Sequence, residues 1–265
     1  MSEKLSLDEI RRYWTDQVGR HGASPAASWS DLRVIELEIK EIVARLKDGD
    51  TVLDVGCANG FSTVEIAAQR SVRIKGIDYI PEMIRHARER STRIRASLRG
   101  SVSFGVGDVT ALDEPDASYD TAVVIRVIIN LGGWEQQVRG LRECARVLKP
   151  GGRFLLSEAT VQGWQRLNVF RAEWGLPAIP VPPFNHYLDE DQVVQALSPD
   201  LELIELVNFA STYYVGTRVL KPLFKSLGAD VDVADPAMEW NRWFAQLPQC
   251  GDYGTQKLFV FEKRG

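Results

Sequence analysis

Apolar residues at positions 32, 35, 39, 42, 43 and 46 recur at helical spacing, and Gly49 follows as a stop. Upstream, Ser6-Leu-Asp-Glu9 reads as a capping box that opens a helix running to about residue 18. Residues 19–30 are rich in Gly, Ser, Ala and Pro and read as a loop, with Ser28-Trp-Ser-Asp31 as a second capping box. From residue 51 the rhythm changes to short apolar runs alternating with helical stretches. Strands are predicted over 51–55, 72–78, 101–106, 119–129 and 153–157, with helices over 60–70, 81–98 and 134–148. Alternation at this spacing means βαβ units around a parallel sheet. The unbroken run Ala122-Val-Val-Ile125 suits a strand covered on both faces.

After residue 157 the pattern loosens. A helix over 188–197, a strand over 201–209 and a last strand over 256–262 are separated by two insertions, about 160–187 and 210–255. The first holds Trp164, Phe170, Trp174, Phe184 and Tyr187 among several prolines, too aromatic for a solvated linker. Structureless loops of such length are uncommon in compact domains, so both insertions are expected to be partly helical and functional. The division expected is an N-terminal helical lid over 1–49 and one domain over 50–265.

Composition narrows the function classes. Of 265 residues, 45% are hydrophobic and 26% charged, an ordinary globular balance. The net charge is −4, which disfavours a general nucleic-acid binder. No apolar run approaches the ~18 residues of a membrane span, and the first residues hold no apolar leader segment. Three cysteines without C-x-x-C spacing fit a reducing cytoplasm, and three scattered histidines form no metal motif, so no metal is expected. The arginines at 85, 88, 90, 93, 95 and 99, with His86 among them, read as a solvated helix face.

The candidate chemistry sits in the turn after the first strand, Asp54-Val-Gly-Cys-Ala-Asn-Gly60. Glycines there let backbone approach a ligand, with a helix N-terminus beyond. A dinucleotide fingerprint would need a small residue at position 61, where Phe61 stands. Read as acidic-x-G-x-G-x-G, with Ala58 in place of the middle glycine, the stretch resembles motif I of class I S-adenosylmethionine-dependent methyltransferases. Gly76-Ile-Asp78, Gly107-Asp108-Val109, Tyr119-Asp120 and Arg146-Val-Leu-Lys-Pro-Gly-Gly152 fall where that family places its further motifs.

The resemblance, which covers residues 50–158, implies an α/β fold: a doubly wound, Rossmann-like, seven-stranded and mostly parallel sheet whose last strand is antiparallel, with a helical lid and insertions. It implies S-adenosylmethionine as cofactor, with Asp54, Gly56, Ala58, Gly60, Tyr79 and Arg126 around it. Asp78 is expected on the ribose, and Asp108 and Val109 on the adenine. Alanine at position 58 is a mild departure if φ is negative there and a costly one if φ is positive.

The acceptor side carries weaker signals. No Asn-Pro-Pro-Tyr or Asp-Pro-Pro-Tyr run follows the fourth strand; the position reads Arg126-Val-Ile-Ile-Asn130-Leu131. His186, at the end of the aromatic insertion, is the first candidate base, with Glu158 and His21 behind it. Tyr213, Tyr214 and Arg218 follow the sixth strand and suit a carboxylate, phosphate or sugar. The expected function is methyl transfer to an oxygen or nitrogen of a small molecule such as a sugar or polyketide, in biosynthesis, with no nucleic-acid or membrane partner. RNA methylation and a non-catalytic binding subunit stand as the alternatives.

Overall fold

A computed structural model describes residues 4–265; the first three residues of the stretch read for a leader lie outside the described residues. Seven strands form one sheet: β1 Thr51–Val55, β2 Arg73–Asp78, β3 Ser101–Val106, β4 Tyr119–Ile125, β5 Leu148–Ala159, β6 Leu201–Val207 and β7 Gln256–Lys263. Their order is β3-β2-β1-β4-β5-β7-β6. Only β7 runs antiparallel to its neighbours β5 and β6. The direction of winding reverses between β1 and β4, so the strand ends beside that switch open a crevice suited to a ligand.

Side chains alternate across the sheet, as a two-residue period requires. Leu53, Ala122, Phe154 and Phe261 face helices α5 (Trp134–Arg146) and α7 (Glu190–Leu197). Val52, Val123, Leu155 and Val260 face the opposite core, which includes α2 (Leu32–Arg45), α3 (Phe61–Gln69) and the second insertion. Both cores are completely shielded at their centres, which explains the unbroken apolar runs.

The N-terminal region does not behave as one lid. Helix α1 (Leu7–His21) opens with the expected box: Ser6 N–H donates to Glu9 Oε2 at 2.8 Å and Glu9 N–H to Ser6 Oγ at 3.4 Å. This helix lies over the strand ends. Helix α2, in contrast, buries Val34, Ile35, Ile39 and Ile42 in the sheet core and belongs to the main body. The second capping box does not form. Asp31 is the N-cap residue of α2, but its carboxylate is engaged by Tyr213 and Arg218 instead.

Helix α4 (Pro81–Ile94) carries the arginine run, and only part of it is solvated. Arg88 donates to Phe104 O at 2.9 Å, and Arg90 donates to Asn59 O at 3.2 Å while its guanidinium carbon lies 5.2 Å over the Phe61 ring. His86 is half-buried, packed under the turn at Gly22.

Both insertions are partly helical. The first contains α6 (Val161–Glu173) and then an irregular return to α7. The second contains α8 (Ser211–Tyr214), a six-residue π-helical stretch Val215–Leu220, α9 (Lys221–Ser226) and α10 (Glu239–Gln246). Runs of π-helix are rare and occur mostly at functional sites.

Candidate active site

A cavity of about 700 Å³ opens over the carboxyl ends of β1, β2 and β4, roofed by α1 and both insertions. One half is built by the strand-end motifs. Gly56 has φ 74°, and a Cβ there would stand 2.1 Å from Val127 Cγ2, so only glycine fits. Gly60 has φ 73°, and a Cβ on it would come within 2.8 Å of Ala87 Cβ on α4. The close helix packing that Phe61 could not provide is therefore supplied one residue earlier. Ala58 has φ 48°, the left-handed region that a side chain disfavours. The departure from glycine is thus the costly kind.

Asp78 ends β2 with its carboxylate in the turn. Its Oδ2 accepts the Ala58 N–H at 3.0 Å and its Oδ1 the Ile80 N–H at 2.9 Å. Burial pushes its pKa up to about 6, opposed by those two N–H bonds. The Ile80 bond also explains how α4 starts without a side-chain cap. Asp108 Oδ1 accepts from Thr110 N–H and Oγ1 at 2.8 and 2.7 Å, which fixes the carboxylate at the rim beside Val109. Gly56, Ala58, Asp78, Tyr79, Asp108, Val109 and Arg126 all line the cavity. Asp54 and Gly60 do not. Asp54 is buried beneath the turn, accepts the Thr63 hydroxyl at 2.5 Å and so anchors the first turn of α3. Burial pushes the Asp54 carboxyl up to about 6 as well, with the Thr63 bond opposing.

The other half of the cavity is aromatic. Tyr13 and Trp14 of α1 meet Phe184 of the first insertion, with ring centroids 4.3 and 5.6 Å apart. Trp29, Trp164, Tyr187 and Tyr214 complete the wall. Three arginines line the cavity, of which two are paired with carboxylates; Arg11 of α1 has no ion pair among the described residues, and its guanidinium carbon lies 5.6 Å over the Tyr79 ring. Arg126 is bonded to Glu38, a carboxylate 1% exposed, and its guanidinium carbon lies 4.7 Å over the Trp29 ring. Arg218 is bonded to Asp31 at 2.6 Å and lies 5.4 Å over the Tyr214 ring.

A family model described as a methyltransferase domain matches residues 52–152. Methyltransferase GfsG of Streptomyces halstedii is 34% identical over 251 residues, which cover 91% of this chain and 87% of that protein. The chain belongs to the class I S-adenosylmethionine-dependent methyltransferases. The 27-O-demethylrifamycin SV methyltransferase of Amycolatopsis mediterranei is 33% identical over 113 residues, covering 43% of this chain and only 40% of that protein's length. The crystal structure of magnesium protoporphyrin IX methyltransferase from Synechocystis PCC 6803 with bound SAH superposes with a TM-score of 0.58 at 15% identity, over 96% of this chain and 94% of that one. Its fold is the same seven-stranded architecture.

S-adenosylmethionine is the methyltransferase's cofactor, and the strand-end half suits it. The turn at Gly56 leaves bare backbone toward the cavity. Each Asp78 oxygen accepts a single N–H, which leaves further lone pairs for ribose hydroxyls.

The three candidate bases are scattered. His186 does not line the cavity. Its N–H is tied to Ile129 O at 2.6 Å, and burial and the nearby Lys4 lower the pKa of its ring. Glu158 is fully buried beneath the floor, where its Oε1 accepts the Val127 and Ile128 N–H groups at 2.8 and 2.7 Å. Those bonds, with Arg126 at φ 55°, end β4 at Ile125, four residues short of the expected 129. Burial pushes the Glu158 carboxyl up to about 8 against those same bonds. His21, exposed at the end of α1, is the histidine that lines the cavity. Of the three residues expected on the acceptor, Tyr214 and Arg218 line the cavity, while Tyr213 is fully buried with its hydroxyl on Asp31 at 2.6 Å.

Sequence reasoning passed over Trp29, Asp31 and Glu38. Glu38 left a signal: it falls on the apolar stripe of α2, three residues after Ile35 and four before Ile42, where a carboxylate needs a partner. Among the described residues no group of three or more His, Cys, Asp or Glu is placed to hold a metal ion. No described helix is long and apolar enough to cross a membrane.

Proposed function

We propose that this methyltransferase moves the methyl group of S-adenosylmethionine to a hydroxyl oxygen of a neutral small molecule with a large apolar body, of the polyketide type, in the reducing cytoplasm as a biosynthetic step. The observation that carries this reading is the aromatic wall that α1 and the insertions present to the cavity. Arg126 is paired with Glu38 and Arg218 with Asp31, so neither of these two is free for a phosphate or carboxylate, while Arg11 of α1 lies over the Tyr79 ring. That pairing weakens the sequence-based expectation that Arg218 holds a carboxylate or phosphate of the acceptor. What remains is a wall of indole, phenyl and phenol rings, suited to an apolar body with a few hydroxyls. The name of the rifamycin relative, a methyltransferase of an O-demethyl compound, supports the same class.

The cofactor supplies a methyl group on a sulfonium, open to in-line attack. The chain supplies position. Asp78 and Asp108 orient the donor from two sides, and the rings of α1 and the first insertion hold the acceptor and exclude water. Holding two reactants in line can by itself contribute roughly 7–11 kcal/mol. A histidine base adds about 10²–10⁴-fold, and His21 is the one the cavity admits.

The test is methyl transfer from labelled S-adenosylmethionine to a panel of hydroxylated macrolactones, phosphorylated sugars and transcribed RNA. The expected product is an O-methylated macrolactone. Transfer only to RNA or to a phosphorylated sugar would overturn the reading, and cofactor binding without transfer to any member would favour a binding subunit.

A further inference from the structure

Helix α1, which roofs the cavity, is held by little apolar surface. Of its 15 residues only Ile10 and Val18 are buried, and Val18 packs in a small cluster with Ala27, Ala58, Ile80 and Met83. An element attached so lightly opens locally at small cost unless polar bonds fasten it. At its N-terminal end, Leu5 N–H donates to Pro183 O at 3.1 Å and Lys4 Nζ to Pro182 O at 3.3 Å, and the Tyr13 ring stacks on Phe184. That end is tied to the first insertion.

The other end is tied to the turn after β1, and there the fastening is made by side chains. Three successive backbone carbonyls follow α1, at Gly22, Ala23 and Ser24, and each accepts a hydrogen bond from across the gap. Asn59 Nδ2 donates to Gly22 O at 3.0 Å and to Ser24 O at 2.7 Å, while Arg90 of α4 donates to Ala23 O and, through Nε, to Asn59 O at 3.2 Å. Asn59 is 1% exposed, and its two amide hydrogens match the two hinge carbonyls. The turn itself does not use this amide. Its own bonds run from Ala58 N–H to Asp78 and from Gly60 N–H to Cys57 O. Asn59 stands between Ala58 and Gly60, whose φ angles of 48° and 73° are both left-handed. That backbone sets the direction in which the amide leaves the turn, so relaxing the turn carries the amide off the hinge.

We infer that Asn59 and Arg90 form a clasp that couples cofactor binding to closure of the roof helix. The turn geometry that presents bare backbone to the cofactor is the one that aims Asn59 at the hinge. A filled cofactor half therefore favours the clasped roof, and the clasped roof favours the cofactor in equal measure. The wall that Tyr13 and Trp14 present to the acceptor is complete once the donor is in place. Neither Asn59 nor Arg90 lines the cavity, so both act as positioning residues. This coupling needs the strand-end half to be the cofactor's and holds for any acceptor.

The test is trypsin cleavage after Arg11, Arg12 and Arg20 of α1, read by mass spectrometry with and without S-adenosylhomocysteine. When opening is fast, cleavage follows the population of the open roof, and a ligand at about a hundred times its Kd that is lost on opening lowers that population by up to about a hundredfold. In wild type the ligand should slow these cleavages at least about tenfold. Asn59→Ala and Arg90→Met should speed them and shrink the protection to about twofold or less, with S-adenosylhomocysteine still bound in calorimetry. Arg93→Met, which removes an exposed arginine of the same helix, should match wild type. Cleavage after Arg242 of α10 is the internal reference and should be the same in all four proteins. No protection in wild type, full protection in both clasp variants, or an acceleration at Arg242 as large as that at Arg20 would overturn the clasp. If Asn59→Ala fails to fold, Arg90→Met decides. Methyl transfer is not the readout, so the clasp and the proposed acceptor can fail separately.

Discussion

Glu38 and Arg126 form an ion pair across the sheet edge, from the middle of α2 to the end of β4. The carboxylate is 1% exposed and is further held by Ser157 Oγ and, at 3.3 Å, by Gln256 Nε2. Arg126 has φ 55°, and its guanidinium covers one face of Trp29. A strained backbone, a buried charge and an aromatic wall of the cavity thus depend on one carboxylate.

Removing that carboxylate should be expensive. Glu38→Gln leaves Arg126 without its counter-charge in a site 14% exposed, and a loss of about 3 kcal/mol in unfolding free energy is expected. The double variant Glu38→Gln with Arg126→Met should recover part of it, because no charge is then stranded. Urea midpoints check both. A single variant as stable as wild type would mean that the pair contributes only geometry.

The Asp78 carboxylate is expected to hold the ribose of the methyltransferase's cofactor. Asp78→Ala should weaken S-adenosylmethionine binding by about 1.5–3 kcal/mol, the range for hydrogen bonds to a charged group. It also frees the Ala58 and Ile80 N–H groups, so a melting curve must accompany the calorimetry. A folded variant with unchanged affinity would remove Asp78 from the cofactor site.

Alanine at 58 is the departure from motif I that the structure makes costly. With φ 48°, a left-handed alanine is strained by roughly 1–2 kcal/mol, against which glycine loses some backbone entropy. Ala58→Gly should therefore be neutral to stabilising by up to about 1 kcal/mol, with cofactor affinity retained. A destabilised glycine variant would show that the Ala58 methyl packs usefully against its neighbours Val18, Ala27, Ile80 and Met83, the small cluster under α1.

Much of this fold was legible from residues alone, and the reasons are physical. The bounds of β1 match those read from its apolar run, because a strand covered on both faces cannot hide its pattern, and those of β3, an edge strand, match because Val102, Phe104 and Val106 alternate with Ser101, Ser103 and Gly105. The bounds of β4 were overrun, since Val127, Ile128 and Ile129 continue the apolar pattern while Glu158, distant in sequence, captures their N–H groups. Residues of the strand-end half could be read because glycine and aspartate at a strand end are local signals. The aromatic half could not, because its pairs join distant segments: Asp31 to Arg218, Glu38 to Arg126, Tyr13 to Phe184. His186 illustrates the difference. Its sequence neighbourhood is aromatic and suggests a pocket, yet its backbone bond to Ile129 leaves its ring outside the cavity lining.

Glu158 predicts a pH dependence of stability with an uncommon sign. Its folded pKa is raised from 4.5 to about 8 by burial, so between those values the folded state keeps a proton that the unfolded state has released. Unfolding then releases a proton, and stability falls as pH rises through that window. Asp54 and Asp78, raised to about 6, act in the same direction but are finished by about pH 7.5. The fall between pH 7.5 and 8.5 therefore isolates Glu158. Glu158→Gln keeps an oxygen for the Val127 and Ile128 N–H groups and should flatten that part of the curve. A wild type equally stable at both values, or a variant that falls as steeply, would place the Glu158 charge elsewhere.

The candidate bases can be separated by two substitutions read in kcat and in cofactor affinity. If His21 takes the acceptor proton, His21→Ala should lower kcat by about 10²–10⁴-fold while S-adenosylmethionine affinity stays within a few-fold. His186→Ala should leave kcat in place, since the ring is absent from the cavity lining, and should act instead on stability. The opposite pattern, kcat lost in His186→Ala and kept in His21→Ala, would require the first insertion to rearrange when both substrates bind. Full turnover in both variants would mean that transfer runs on positioning alone, with the acceptor proton passed to water after the methyl group has moved.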